Sequence, residues 1–395
     1  MSKVLHVVYQ SYPNISGSST RTNHILNAQK IDGIEPVVIS SPGQQPEKLS
    51  SRVGVENINS IKYYRTYIFE GLSVGGSSTA LDKVKKVLSF PYFVYKLWKV
   101  CSIEKPNVIH AHAMFYCAIA ALIVGNIKGI PVVYEIRSLW YINPNSEQLS
   151  ILKKIAIKLE CIAIKRSDAV VAISDGIKSE FSKLRSDIYI VRNAVNAEDN
   201  SIDIASINGI SKFAYIGSVI DLEGIDKVIK AFSLLRDTNP QLEFHVFGSG
   251  PKLEELKRLA KSLKSPTTFH GQVPPSEIRQ CYQSMDCIIN YRNDEPIAHL
   301  VTPLKPLEAI LLNKPLICSE VGGYLEIIGG IEHAMFVPPN DIDALARAIV
   351  SISNPENEEI VSTQMSKAKA FVLSNRLWST NVNIYKRIYS KLEKI

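Results

Sequence analysis

The chain has 395 residues, 46% of them hydrophobic and 21% charged, with 45 Lys/Arg against 38 Asp/Glu and a formal net charge of +7. That length and apolar fraction suit two or three globular domains and exclude a disordered or fibrous chain. The positive excess lies in residues 1–205, which hold 24 Lys/Arg and 17 Asp/Glu, whereas residues 206–395 hold 21 of each; one half is therefore marked for an anionic partner.

The opening stretch, MSKVLHVVYQSYPN, carries no cleavage-like site, and the most apolar run, Ala113–Val124, is too short to span a bilayer. In chain order, β-branched runs at Val4–Tyr9, Pro36–Ser40, Asn107–His112, Pro131–Ile136, Ala169–Ile173 and Ile188–Val191 read as strands. Helical patterns at Thr20–Lys30, Phe115–Ile127 and Gln148–Lys165 lie among them. The pattern restarts with strands at Phe213–Ile216, Leu242–Phe247, Thr267–His270, Cys287–Asn290, Pro315–Cys318 and Met335–Val337. Helices at Val228–Leu235, Leu253–Leu263, Leu307–Leu312 and Ala344–Ile349 fall between these. Near-continuous apolar strands mean parallel sheets covered on both faces, so the fold class is α/β with two doubly wound, Rossmann-like domains facing one another. The polar segment Asn196–Asn208 divides them. The expected domains are 1–196 and 209–375, with a last helix at 376–395 that crosses back to the first domain with Trp378 as a packing anchor. Six cysteines without CxxC spacing read as buried free thiols of a cytoplasmic protein.

Ligands of such sheets bind in the loops at the carboxyl ends of the strands. The first of these loops has only Gly17, and Gly248-Ser249-Gly250 is followed by Pro251, so no dinucleotide fingerprint exists; no Walker A sequence exists either. NAD-linked oxidoreductases and P-loop kinases are thereby disfavoured. Gly17, in a Ser-rich turn, is compatible with close approach of a ligand or with an ordinary capped turn. Asp341-Ile342-Asp343 imitates a metal-binding DxD, yet it opens a helix and reads as a cap. No metal is expected. The richest segment is Tyr291–Leu312, YRNDEPIAHLVTPLKPLEAILL. There Pro306 suits a first helical turn, Thr302 and Leu304 offer backbone N–H groups to a diphosphate, Lys305 and Arg292 add charge, and Glu308 can accept ribose hydroxyls.

The stretch TPLKPLEAILLNKPLICSEVGGYLEII resembles the donor-site signature of retaining glycosyltransferases of family 4, which have the GT-B fold. The resemblance continues in FAYIGSVIDLEGIDKVIKAF, HVFGSGPKLEEL, FHGQVPPSEI and FVPPNDIDALARAI, and in VIHAHAMFYCAIAAL, PVVYEIRSLW, VVAISDGIKSEF and YIVRNAVN of the first half. It implies that Glu308 binds the donor ribose and that backbone near Thr302 and Leu304 holds the diphosphate. It also implies that Gly217 begins the loop beneath the phosphates, that backbone around His270–Val273 meets the nucleobase, and that Gly17 lets the acceptor-side loop approach the donor. His112, otherwise a structural histidine at a strand end, would touch the sugar. The catalytic set would be His112, Arg292 and Lys305. Two departures stand out. The first glutamate of the family's pair is replaced by Leu300, with Asp294 or Glu295 as possible substitutes, and the loop positions that commonly carry Arg and Lys look like Ser218 and Glu223.

The resemblance implies transfer from a nucleotide diphosphate sugar to a glycan or polyprenyl-linked acceptor in bacterial surface polysaccharide (for example lipopolysaccharide) assembly, with no cofactor. The alternatives are a sugar-nucleotide epimerase of the same fold and a non-catalytic nucleotide-sugar-binding subunit. Residues 83–105 carry six lysines and five aromatic residues, and 151–166 is a second basic stretch. Both are candidates for an anionic membrane surface, which would make the protein peripheral at the inner face of the plasma membrane. Nucleic acid is not an expected partner, since no recognition motif is present.

Overall fold

The computed structural model describes residues 2–14, 16–44, 54–66, 80–139, 141–142, 151–196, 209–274 and 276–394. Most of the expected linker at 196–208, and the side chains of Lys83 and Lys86, lie outside the described residues. The chain divides into two units, 1–192 with 378–395, and 193–377.

The first unit contains β1 (Lys3–Val8), α1 (Gly17–Ile31), β2 (Glu35–Ser40), β3 (Val55–Ile58), β4 (Ile61–Tyr64), α2 (Ala80–Glu104), β5 (Val108–His112), α3 (Phe115–Lys128), β6 (Val132–Ile136), α4 (Ile151–Arg166), β7 (Ala169–Ala172), α5 (Asp175–Phe181) and β8 (Ile188–Ile190). Its sheet runs β3-β4-β2-β1-β5-β6-β7-β8, parallel throughout except for β3 against β4. That antiparallel edge was not expected from the sequence. Strands β5, β6 and β7 are buried along their whole length, as two covered faces require. Helix α1 starts at a capping box in which Ser16 and Ser19 satisfy each other's backbone N–H groups, and α3 stops at Gly129 in the left-handed region.

The second unit contains β9 (Lys212–Ile216), α6 (Ile225–Leu235), β10 (Glu243–Phe247), α7 (Leu253–Leu263), β11 (Thr267–Gly271), α8 (Ile278–Gln283), β12 (Cys287–Asn290), α9 (Pro296–Leu300), α10 (Lys305–Leu311), β13 (Leu316–Ser319), α11 (Gly322–Ile328), β14 (Met335–Val337), α12 (Ile342–Ser353) and α13 (Glu358–Asn375). Its parallel sheet runs β11-β10-β9-β12-β13-β14. Alternate strand residues feed two cores: Phe213, Phe244 and Ile289 pack under α6 and α12, whereas Ala214, Ile288 and Cys318 pack under α10 and α11. Asp341 caps α12, its side chain accepting from the Ala344 N–H at 2.8 Å, so the DxD resemblance is a helix cap. The last helix, α14 (Trp378–Leu392), belongs to the first unit, where Trp378 is buried beneath the Arg21 guanidinium. All six cysteines are free; five are buried and Cys161 is half-buried.

Strand order reverses between β1 and β5 in one sheet and between β9 and β12 in the other. Those two switch points are where an open α/β sheet leaves room for a ligand.

Candidate functional site

At the switch point of the second sheet, the β9–α6 loop meets the residues that follow β12 and the start of α10. Lys305, the first residue of α10, reaches back so that its Nζ lies 2.6 Å from Glu223 Oε2 and donates to Tyr215 Oη at 2.6 Å. Arg292 Nη2 lies 3.5 Å from the other oxygen of Glu223, and Arg292 Nη1 donates to the Val301 carbonyl at 2.9 Å. Its guanidinium stacks 5.3 Å above the Tyr324 ring. Gly217 makes this convergence possible. It has φ +151°, and a Cβ there would stand 2.7 Å from Lys305 Cε, so the lysine lies where a side chain would be. Gly248 at the end of β10 is required for the same reason, since its Cβ would strike the Gly217 carbonyl at 1.8 Å.

Lys305 and Arg292, expected from the sequence to add positive charge here, do not stand alone. Lys305 and Arg292 share a buried carboxylate, Glu223, which is 4% exposed. Burial alone would raise the Glu223 carboxyl, but Lys305 and Arg292 outweigh it and hold it below the usual range. Burial lowers the Lys305 ammonium from its ordinary value despite Glu223. Two cations and one anion leave the cluster net positive. Helix α10 is a single short element, so side-chain charge dominates its dipole.

The remaining expected donor residues fall around this cluster or apart from it. Glu308 lies one turn along α10 and accepts from Tyr282 Oη at 3.3 Å. Leu304 is the N-cap of α10, and buried Thr302 accepts from the Asn193 amide at 2.7 Å through its carbonyl. His270 and Val273 are at the sheet edge, where the exposed His270 ring stacks on Phe247 at 4.1 Å. Asp294 is engaged by His299 at 2.7 Å, and Glu295 is the N-cap residue of α9. Among the described residues, Arg292 Nε, Tyr324 Oη and both amide atoms of Asn290 are buried without a hydrogen-bond partner. Such orphans normally mark a polar ligand or water site.

The first unit holds a different constellation. Gly17 opens α1, and a Cβ built on it meets no atom within 4 Å among the described residues. His112 ends β5 but is 1% exposed, with both ring nitrogens occupied. Arg137 can only donate, so its Nη2 bond to His112 Nδ1 (2.7 Å) places the proton on His112 Nε2, which donates to His6 Nδ1 at 2.8 Å. His6 Nε2 then donates to Gln29 Oε1 at 2.8 Å, Gln29 Nε2 donates to Tyr389 Oη at 3.0 Å, and Tyr389 donates to His110 Nδ1 at 2.7 Å. Beside this chain Glu135 accepts from Arg21 Nε at 3.0 Å, from Arg137 Nε at 2.7 Å and from the Tyr385 hydroxyl. The expected contact of His112 with a sugar is therefore not available in this arrangement, because no ring nitrogen is left over. Burial, then Arg137, push His112 down to about 4, and burial drives His6 and His110 well below their ordinary value.

The ligating nitrogens of His6, His110 and His112 lie within 4.8 Å of one another, close enough for a metal ion. Their directional hydrogen bonds and the two adjoining guanidiniums favour a structural network over a cation site.

The sequence reading missed Glu135, Arg137, His6 and the pairing role of Glu223. A signal was present: His6 and Glu135 are polar side chains inside apolar strand runs, and Arg137 directly follows one. Register sets His6 beside His110 and His112 beside Glu135, at like parity.

A family model described as Glycosyltransferase Family 4 matches residues 15–199, and one described as Glycosyl transferases group 1 matches 199–369. An uncharacterised glycosyltransferase of Methanocaldococcus jannaschii is 24% identical over 253 residues, covering 58% of this chain and about three fifths (60%) of that protein. Among solved structures, a sucrose-phosphate synthase from Thermosynechococcus elongatus is similar with TM-score 0.77 at 17% identity, covering 99% of each chain. The HepE protein of Anabaena in complex with UDP-glucose is similar with TM-score 0.73 at 16% identity, covering 99% of this chain and 100% of that one. With both halves matched in order and the two parallel-sheet units in place, the chain belongs to the family 4 glycosyltransferases of the GT-B fold.

Proposed function

We propose that this chain transfers a glycosyl group from a nucleoside diphosphate sugar, with retention of anomeric configuration, to a glycan or lipid-linked glycan acceptor in surface polysaccharide assembly. The observation that carries this is the net-positive cluster of Lys305, Arg292 and Glu223 at the switch point of the second sheet. As the bond from the sugar C1 to the diphosphate breaks, negative charge grows on the leaving oxygen, and preorganised cations there lower the barrier. The new bond forms from the acceptor oxygen to C1, and the acceptor's proton passes to the departing phosphate. Glu308 would hold the ribose, and the backbone near Thr302 and Leu304 would face the phosphates. His270 and Val273 lie at strand ends suited to the base. The named complex of HepE with UDP-glucose supports a nucleotide-sugar donor. Gly17, which no contact among the described residues requires to be glycine, suits close approach of a donor or acceptor.

The acceptor is membrane-borne in this reading. Helices α2, α3 and α4 pack side by side and expose Leu88, Tyr95, Trp98, Ile127, Ile155 and Ile162. Among the described residues of these helices, every charged side chain that reaches solvent is a Lys or Arg, because Glu104 and Glu160 are buried. Apolar side chains ringed by cations suit an anionic bilayer surface. Among the described residues no helix is long and apolar enough to cross a membrane.

The test is incubation with UDP-, GDP-, ADP- and dTDP-sugars and with soluble and lipid-linked acceptors, read by mass spectrometry, with the product's anomeric configuration read by NMR. Replacing Lys305 and Glu308 together by Ala should weaken donor binding at least about tenfold, the loss of roughly 1.4 kcal/mol or more expected of charge-assisted contacts. Undiminished binding would refute the site.

A further inference from the structure

We propose that Glu223 is a positioning residue for the anion site: its carboxylate gathers Lys305 and Arg292 over Gly217 and keeps Lys305 a cation, so that one net positive charge meets the donor's diphosphate. This rests on the nucleoside diphosphate sugar reading above.

The geometry gives Glu223 two tasks at once. One oxygen is bound to the Lys305 ammonium at 2.6 Å and the other faces Arg292 at 3.5 Å, so a single carboxylate spans both cations. Without it, two like charges would be left together in a buried place. A guanidinium does not give up its proton there, but an ammonium does.

The groups facing Lys305 come from every element packed on it. Tyr215 comes from β9, Glu223 from the loop before α6, Arg292 from the segment after β12, and Glu308 from α10 itself; Tyr324 of α11 lies behind Arg292. Burial raises both tyrosines well above their ordinary value, so neither supplies an anion. Glu308 acts on Lys305 less strongly than Glu223 does. Glu223 is therefore the group that sets the ionisation of Lys305. Burial already lowers the ammonium with the carboxylate in place, and removing the carboxylate moves it further in the same direction.

The alternative role for Glu223 is that of a competitor, an internal anion that merely opposes the diphosphate. The two roles separate by pH. A competitor's removal tightens binding equally at every pH. A positioning anion's removal makes binding depend on whether Lys305 can be protonated.

The experiment uses the full chain and its Glu223→Gln and Glu223→Asp variants, titrated calorimetrically with UDP, GDP and ADP between about pH 7 and pH 9. In parallel, the Lys305 side chain is titrated by NMR on labelled lysine, assigned with Lys305→Arg. The wild type and Glu223→Asp should change affinity less than about threefold across the range. Glu223→Gln should lose about tenfold or more toward high pH, with the Lys305 titration displaced downward from that of the wild type. Parallel pH profiles for Glu223→Gln and wild type, or an unmoved Lys305 titration, would overturn the role of Glu223 alone. Failure of all three nucleotides to bind the wild type would instead overturn the donor reading and the assignment built on it. Because the NMR titration needs no ligand, the two failures are distinguishable.

Discussion

Lowering the pH from about 7.5 to about 5 should loosen the unit formed by residues 1–192 and 378–395 before its carboxylates titrate. His112 is held at about 4 in the folded chain against an ordinary value of 6.5, because it is buried beside Arg137. The unfolded chain therefore binds a proton that the folded chain refuses between those two values. Stability from this group is complete above about pH 6.5 and is lost as the pH falls toward 4, at up to about 1.4 kcal/mol per pH unit and roughly 3 kcal/mol in all. His6 and His110 shift in the same direction and steepen the loss. Glu135 acts later, since Arg21 and Arg137 overcome its burial and keep it ionised well below 4.5. Urea unfolding followed by Trp378 fluorescence, with Trp98→Phe and Trp140→Phe to remove the other indoles, reports this unit. A His112→Asn variant should lose about one proton's worth of slope, whatever its absolute stability. An unchanged slope, or a wild type whose stability is flat between pH 7 and pH 5, would refute the reasoning.

Glu135→Gln should cost about 3–5 kcal/mol, because it removes the buried carboxylate that the Arg21 and Arg137 guanidiniums share; a thermal midpoint close to wild type would contradict this. Gly217→Ala should destabilise residues 193–377 by about 1–3 kcal/mol and displace Lys305, since the new Cβ meets Lys305 Cε and Nζ at 2.7 and 2.9 Å. Nucleotide titration should show weaker binding by that variant, and intact affinity would count against the site. Replacing Trp98, Lys99 and Lys154 by Ala should weaken sedimentation with phosphatidylglycerol vesicles, each lysine contributing about 1 kcal/mol at low salt. Equal pelleting of variant and wild type, or pelleting that ignores salt, would exclude the membrane face.

The parallel strands were legible because buried β-branched runs have no other economical use, and the helices because their apolar periods were long. The β3–β4 edge was not, since Val55–Ile58 is short, partly exposed and only weakly patterned. The structure brings Lys305, Arg292 and Gly217 together, but the carboxylate that the two cations share was not legible in the sequence. Lys305 and Glu223 are far apart in sequence, and only the convergence of the α10 start and the β9–α6 loop makes them one ion pair. His112 was placed at the right strand end, yet its fate depends on Arg137 and His6, whose approach is a matter of sheet register. Pairing partners across a parallel sheet are set by crossover geometry, and no local pattern encodes it.

The histidine chain passes through Tyr389, and Glu135 accepts from Tyr385, both from α14. On the ribosome, that helix emerges only after the whole of residues 193–377 has been made. Until then the first unit has its sheet but lacks the hydroxyls that complete its polar interior. Final locking of the first unit should therefore wait for synthesis of residues 378–392, long after its own sheet has been made.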